Sequence, residues 1–143
     1  MLVKIKRLDK SLPLPAYQTP GATAMDLYCS QTITIKPQQT GQIHLGVAIK
    51  LPKGTFGILA ARSSTHKMGL MPVNGIGIID SDFGGDNDEW RFLALNFTKK
   101  AVTIEKETRV AQFLVFKYEK IKLKEVNSLG HPNRGGFGST GSN

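Results

Sequence analysis

The chain is poor in cysteine: Cys29 stands alone in 143 residues. A lone cysteine excludes an internal disulfide and a thiolate metal cluster, and it agrees with a reducing compartment. Following Leu27 and Tyr28, it is also a poor candidate nucleophile. Long apolar runs are missing as well. None approaches the ~18 residues of a membrane span. The opening MLVKIKRLDK alternates charged with apolar residues and lacks the continuous apolar core of a secretory signal. A cytoplasmic protein with no membrane partner is expected. Helical periodicity is sustained nowhere, which argues against a helical bundle. Because no aromatic-rich stripe of the kind that stacks bases is present, no nucleic-acid partner is expected either, although the formal charge is +8.

That positive charge suits a phosphate-rich ligand, whether a nucleic acid or a nucleoside triphosphate. Many of the lysines (Lys99, Lys100, Lys106, Lys117, Lys120, Lys122, Lys124) alternate with apolar residues or stand near glutamate, the pattern of a solvated sheet face. Short alternating runs separated by turn residues recur along the chain. Strands are expected over residues 2–7, 24–29, 32–35, 42–51, 55–61, 71–79, 91–97, 101–104 and 109–118, the last with both faces buried. Residues 12–21 hold three prolines and read as an extended loop. Only residues 62–69 (RSSTHKMG) suit a helical turn, with Ser63 or Ser64 as its N-cap.

The fold class is therefore all-β, a jelly-roll-like β-sandwich or barrel of one domain over residues 1–126. Residues 127–143 are rich in Gly, Ser, Asn, Pro and Arg and form a flexible C-terminal arm.

Residues 75–86, GIGIIDSDFGGD, carry the densest signal. Glycines alternate with isoleucines and lead into two carboxylates, an aromatic and a double glycine. The stretch reads as a hairpin with acids at its lip, where Gly75 and Gly77 leave the backbone open to another molecule and Asp80 and Asp82 project to one side. An ordinary solvated turn has the same composition. The acidic residues 87–90 that follow contain the sole tryptophan, Trp90, and read as a solvated loop with Trp90 folded back onto the sheet.

Five patches stand in order: AMDL (24–27), RSS (62–64), residues 74–86, RVAQ (109–112) and RGGFGSTG (134–141). Together they resemble the motif series of the trimeric dUTPases. The resemblance implies a jelly-roll homotrimer with shared sites and Mg2+-dependent hydrolysis of dUTP to dUMP and pyrophosphate by attack of water on the α-phosphorus. Such hydrolysis limits uracil incorporation into DNA and supplies dUMP. By that resemblance Asp80 is the catalytic carboxylate that orients the attacking water. Asn74, Gly75, Gly77 and Ile79 belong to the part that reads uracil through an amide side chain and open backbone. Phe83 stands where the family commonly carries tyrosine and would exclude ribose. Arg62, Ser63 and Ser64 match the phosphate-binding motif, with Ser64 in place of a glycine, and Gln112 is a further phosphate contact. Asp26 would hold Mg2+ through metal-bound waters, since no carboxylate cluster can cage the ion alone. Arg109 would bridge subunits or anchor the arm. In the arm, Phe137 would stack on the base while Arg134, Gly138, Ser139 and Thr140 hold the γ-phosphate. Arg134 lies nearer Phe137 than in the commonest form of the motif.

Two other readings stay open on the sequence alone. RSS followed by Gly69 and Leu70 also resembles the dCTP deaminases, but the run WRFLAL between Glu89 and Asn96 lacks the carboxylate that group requires. A non-catalytic regulatory protein on the same scaffold is the other, and the intact Asp80 and arm argue against it.

Overall fold

A computed structural model supplies the fold, and residues 1–136 are described. Ten strands form: β1 (Lys4–Arg7), β2 (Met25–Tyr28), β3 (Ile33–Ile35), β4 (Thr40–Lys50), β5 (Thr55–Ala61), β6 (Leu70–Pro72), β7 (Gly77–Ile79), β8 (Glu89–Asn96), β9 (Val102–Ile104) and β10 (Arg109–Lys117). A single 3-10 turn, Thr65–Met68, interrupts them. The strands build one sheet in the order β1-β4-β8-β6, a second in the order β2-β10-β5-β7, and a ribbon of β3 with β9. All pairings are antiparallel. No helix of the described residues is long and apolar enough to cross a membrane.

Alternation explains the layering. In β8, Trp90, Phe92, Ala94 and Asn96 are buried while the residues between them are less so, so one pleat face is turned inward. Ile43, Leu45, Val47 and Ile49 of β4, Leu27 of β2, Leu59 of β5, and Val110, Ala111 and Phe113 of β10 join Trp90 and Phe92 in one core, which Ile35 and Ile104 of the ribbon close at one end. Asn96 is fully buried, and its amide donates to the carbonyls of Ile35, Lys36 and Lys100 while accepting from Thr98. A buried polar group is tolerated when its partners are all supplied, and here it joins β8, β3 and the turn at Lys99 and Lys100. Burial also pushes the Cys29 thiol above its usual pKa, as expected for an inert cysteine.

Both sheets carry a bulge. Between His44 and Ala48, β4 advances four residues against two of β8, from Arg91 to Glu89. Gly46 takes φ +63° there, and a Cβ on it would lie 2.8 Å from Ser30 Cβ and 2.9 Å from Leu12 Cδ1, so only glycine fits. Glu89 closes the bulge: one carboxylate oxygen accepts the Gly46 N–H at 2.9 Å and the other lies 2.6 Å from His44 Nδ1. The second bulge lies in β10, where the register with β2 shifts between Arg109 and Ala111.

Several expectations need correction. Residues 71–79 are not one strand, and residues 75–86 do not form a hairpin. The chain turns at Gly75 (φ +68°), where Ile76 N–H donates to the Asn74 carbonyl at 2.8 Å. It thereby passes from β6, paired with β8, to β7, paired with β5. Residues 87–90 are not simply a solvated loop either. Glu89 and Trp90 open β8, and Trp90 is buried edge-on against Phe113 with ring centroids 5.5 Å apart. Asp88 accepts the Gly85 N–H at 2.7 Å. In β10, residues 110, 111 and 113 are buried, but Phe116 and Lys117 are exposed, so the strand is not buried on both faces along its length. The chain leaves the sheets after Lys117, and residues 119–136 are exposed without secondary structure.

Trp90 fills the space left by Gly57, where an added Cβ would lie 3.0 Å from the indole. Trp90→Ala should therefore cost about 3–5 kcal/mol of stability, read as a lowered urea midpoint at unchanged slope.

Candidate active site

The phosphate-binding candidates assemble where three strands end together. Asp26 of β2 stands opposite Gln112 of β10, which in turn faces Ala60 of β5. Arg62 follows the last residue of β5, Ala61, and folds back across β10. Its Nε donates to Asp26 Oδ1 at 2.8 Å, and its Nη1 donates to Ser64 Oγ at 3.1 Å and to the Arg109 carbonyl at 3.2 Å. Arg109 Nη1 meets the other Asp26 oxygen at 3.1 Å. One carboxylate, only 7% exposed, thus orients two guanidinium groups. Arg62 has five N–H donors, and these bonds leave Nη2 for an incoming anion. Ser63 is exposed at the turn. Gln112 donates to the Ala61 carbonyl at 2.9 Å and keeps its amide oxygen and second N–H.

At this cluster Arg109 also meets Asp26 of its own chain. Ser64 occupies the N-cap position of the 3-10 turn but makes no side-chain capping bond, because its hydroxyl accepts from Arg62. Asp26 has spent one lone pair on each oxygen and retains the others, which fits a carboxylate that reaches an ion through water. Among the described residues no three His, Cys, Asp or Glu side chains come together to ligate a metal directly.

The base-and-sugar candidates lie elsewhere. Asn74, Gly77 and Ile79 line a cleft of about 210 Å³ with Leu59, Ile78 and the β8 residues Arg91, Phe92 and Leu93, a volume below the roughly 300–1,000 Å³ of drug-sized ligand sites and suited to a small ring. Gly75 is open, with nothing within 4 Å of where a Cβ would stand, whereas a Cβ on Gly77 would meet Leu59 at 3.3 Å. The strand ends at Ile79 and does not carry Asp80 and Asp82 on one face. Asp80 instead begins a turn, its carbonyl accepting the Phe83 N–H at 3.2 Å. Its side chain is exposed, and its carboxylate accepts no hydrogen bond among the described residues. Phe83 is 42% exposed beside it.

These two groups do not meet within one chain. Ile79 pairs with Gly57 near the start of β5, whereas Arg62 follows its end. Five residues of extended chain separate them, roughly 17 Å at ~3.3 Å per residue. Arg134 is exposed outside any element, and Phe137, Gly138, Ser139 and Thr140 lie outside the described residues.

The sequence profile described as dUTPase matches residues 10–141. The deoxyuridine 5'-triphosphate nucleotidohydrolase of Corynebacterium diphtheriae is 39% identical over 146 residues, spanning 99% of this chain and 94% of the relative. The chain belongs to the dUTPase family. A SPbeta prophage-derived deoxyuridine 5'-triphosphate nucleotidohydrolase of Bacillus subtilis is 37% identical over 99% of both chains. In fold, the dUTPase of Staphylococcus bacteriophage 80alpha solved with dUPNHPP superposes with a TM-score of 0.86 over 98% of each chain at 22% identity.

Within this dUTPase-family fold, sequence reasoning overlooked three contributors. They are Arg109 as the second partner of Asp26, Glu89 as the anchor behind the Asp80 loop, and Thr65 beneath the Arg62 turn. Only Thr65 left a local signal, a hydroxyl three residues beyond the arginine whose backbone it bonds.

Asp26→Asn keeps the shape but replaces the charge shared by the two arginines. A loss of about 1–3 kcal/mol is expected, with a weaker salt dependence of unfolding than in the parent, measured by urea titration at low and high salt.

Proposed function

We propose that the chain hydrolyses dUTP to dUMP and pyrophosphate, at sites shared among the subunits of a homotrimer. The observation that carries this reading is the Arg62 fork: a guanidinium held by Asp26, with Nη2 unengaged among the described residues, beside Ser63 and Gln112. A planar fork of this kind matches phosphate oxygens. Asn74, Gly75 and Gly77 take the uracil edge, Ile79 borders it, and Phe83 packs under the sugar.

In the reaction the oxygen of water bonds to the α-phosphorus while the α–β bridging P–O bond breaks and pyrophosphate leaves. Asp80 orients that water and accepts its proton. Arg62, Ser63, Ser64 and Gln112 hold the charge that develops on the phosphates. The donor set fits Mg2+: Asp26 would hold the ion through water by its remaining lone pairs, and the ion would supply neutralisation of phosphate charge. Arg134 and the arm residues Phe137, Gly138, Ser139 and Thr140 close over the nucleotide.

Distance supports the sharing among copies. Water on Asp80 must reach a phosphate held by Arg62, and β5 keeps the two apart within one chain. The surface agrees with a multi-chain site: Val73, Ile76 and Ile78 around the Gly75 turn are half exposed, and Ile121 and Leu123 beyond β10 are 80% and 90% exposed. Such side chains are covered when copies associate.

Pyrophosphate release should be measured from dUTP, dCTP, dTTP and UTP. Activity confined to dUTP is expected, with a fall of roughly 10²–10⁴ in Asp80→Asn and retained dUTP binding; ammonia release from dCTP would favour a deaminase instead. Co-expression of Asp80→Asn with Arg62→Ala tests the shared site. Each variant alone should be nearly inactive, and mixed assemblies should regain activity because some sites combine two intact halves.

A further inference from the structure

Beneath the turn that carries Arg62, Ser63 and Ser64 lies a buried hydroxyl. Thr65 is 1% exposed, a cost for a hydroxyl unless both its donor and its acceptor are used. They are. Thr65 Oγ1 accepts the Arg62 main-chain N–H at 2.9 Å and donates to the Val110 carbonyl at 3.1 Å.

The place of that hydroxyl in the sheet gives it consequence. The β5–β10 ladder ends at the pair Ala61 and Ala111, and one further step would set Arg62 opposite Val110. The hydroxyl stands between those two, so the Arg62 amide and the Val110 carbonyl are joined through a side chain instead of directly. Val110 is also where β10 bulges against β2, so its ladders on both sides are interrupted at the same residue. By taking the place of the next rung, Thr65 lets β5 part from β10 at a defined spot. The Arg62 guanidinium passes across the end of β10 there to Asp26 and the Arg109 carbonyl. A second bond, Thr65 N–H to the Arg62 carbonyl at 3.0 Å, closes the turn that presents Ser63 and Ser64.

We propose that Thr65 is a positioning residue for the reaction: its buried hydroxyl, relayed between the Arg62 amide and the Val110 carbonyl, sets the angle at which the Arg62 to Ser64 turn meets the phosphates. It touches no substrate and acts through Arg62. This inference rests on the reading of Arg62 as a phosphate contact, and the test separates the two.

Thr65→Val is nearly isosteric and deletes only the hydroxyl; Thr65→Ser keeps it. In the full-length protein, binding of the imido analogue of dUTP is compared with binding of deoxyuridine, which lacks phosphates, and steady-state constants for dUTP are measured alongside. Thr65→Val should weaken the analogue about ten-fold and leave deoxyuridine unchanged, with kcat/KM for dUTP lowered by at least as much. Thr65→Ser should restore the parent values. Should Thr65→Val fail to fold, Thr65→Cys supplies a similar volume with a weak hydrogen-bonding group and is expected to show the same split. Equal weakening of both ligands, no weakening of either, or a serine variant as defective as the valine one would overturn the proposal. Arg62→Ala is the control: if it too leaves the analogue unaffected, Arg62 is no phosphate contact and the positioning role falls with it.

Discussion

One seven-residue strand governs where chemistry can occur in this molecule. β5 carries the Arg62 turn at its end and supports the Asp80 turn at its start, through the Gly57–Ile79 pairing. An extended strand cannot fold back on itself, so the Arg62 turn and the Asp80 turn are held apart by the same hydrogen bonds that make the sheet. In the proposed reading a second copy of the chain supplies the missing half of each site.

The site is built on the irregular parts of an otherwise regular sandwich. The β4 bulge at Gly46 supplies a free backbone N–H, which draws Glu89 inward and anchors the segment that follows Asp80 and Phe83. The β10 bulge at Val110 exposes a carbonyl, which Thr65 takes. A regular ladder would have consumed both groups in strand pairing. Bulges free backbone groups locally, and here the freed groups hold the loops that bear the functional side chains. Asp26 does the equivalent with charge. A nearly buried carboxylate is costly unless paired, and its two arginines are drawn to it from adjoining parts of the chain.

Much of this was legible in the order of the residues. Apart from residues 71–79, the expected strands end within two residues of those observed, because alternation of apolar and polar side chains reports which face is buried. The motif patches around Asp26, Arg62 and Gln112 lie together in the fold. The failures have a common cause. Residues 71–79 alternate as one strand would, yet the chain changes sheet at Gly75, and nothing local distinguishes a strand that continues from one that crosses to another layer. The acidic residues before Trp90 have the composition of a solvated loop, since the groups that turn Glu89 inward, the Gly46 amide and the His44 imidazole, lie far away in the sequence.

By itself the amino-acid sequence determined the all-β class, most strand positions, the unpaired cysteine, the family and the candidate residues for meeting a nucleotide. Those depend on short-range periodicity and on side-chain chemistry, which are present in the chain before it folds. Tertiary structure alone decided that Asp26 is shared by two arginines, that Thr65 stands under the Arg62 turn, and that the end of β7 leading into the Asp80 turn is paired near the start of β5 while Arg62 follows its end. Each is a relation between residues far apart in the chain or on different strands, fixed only when register and sheet order bring backbone groups into hydrogen-bonding distance.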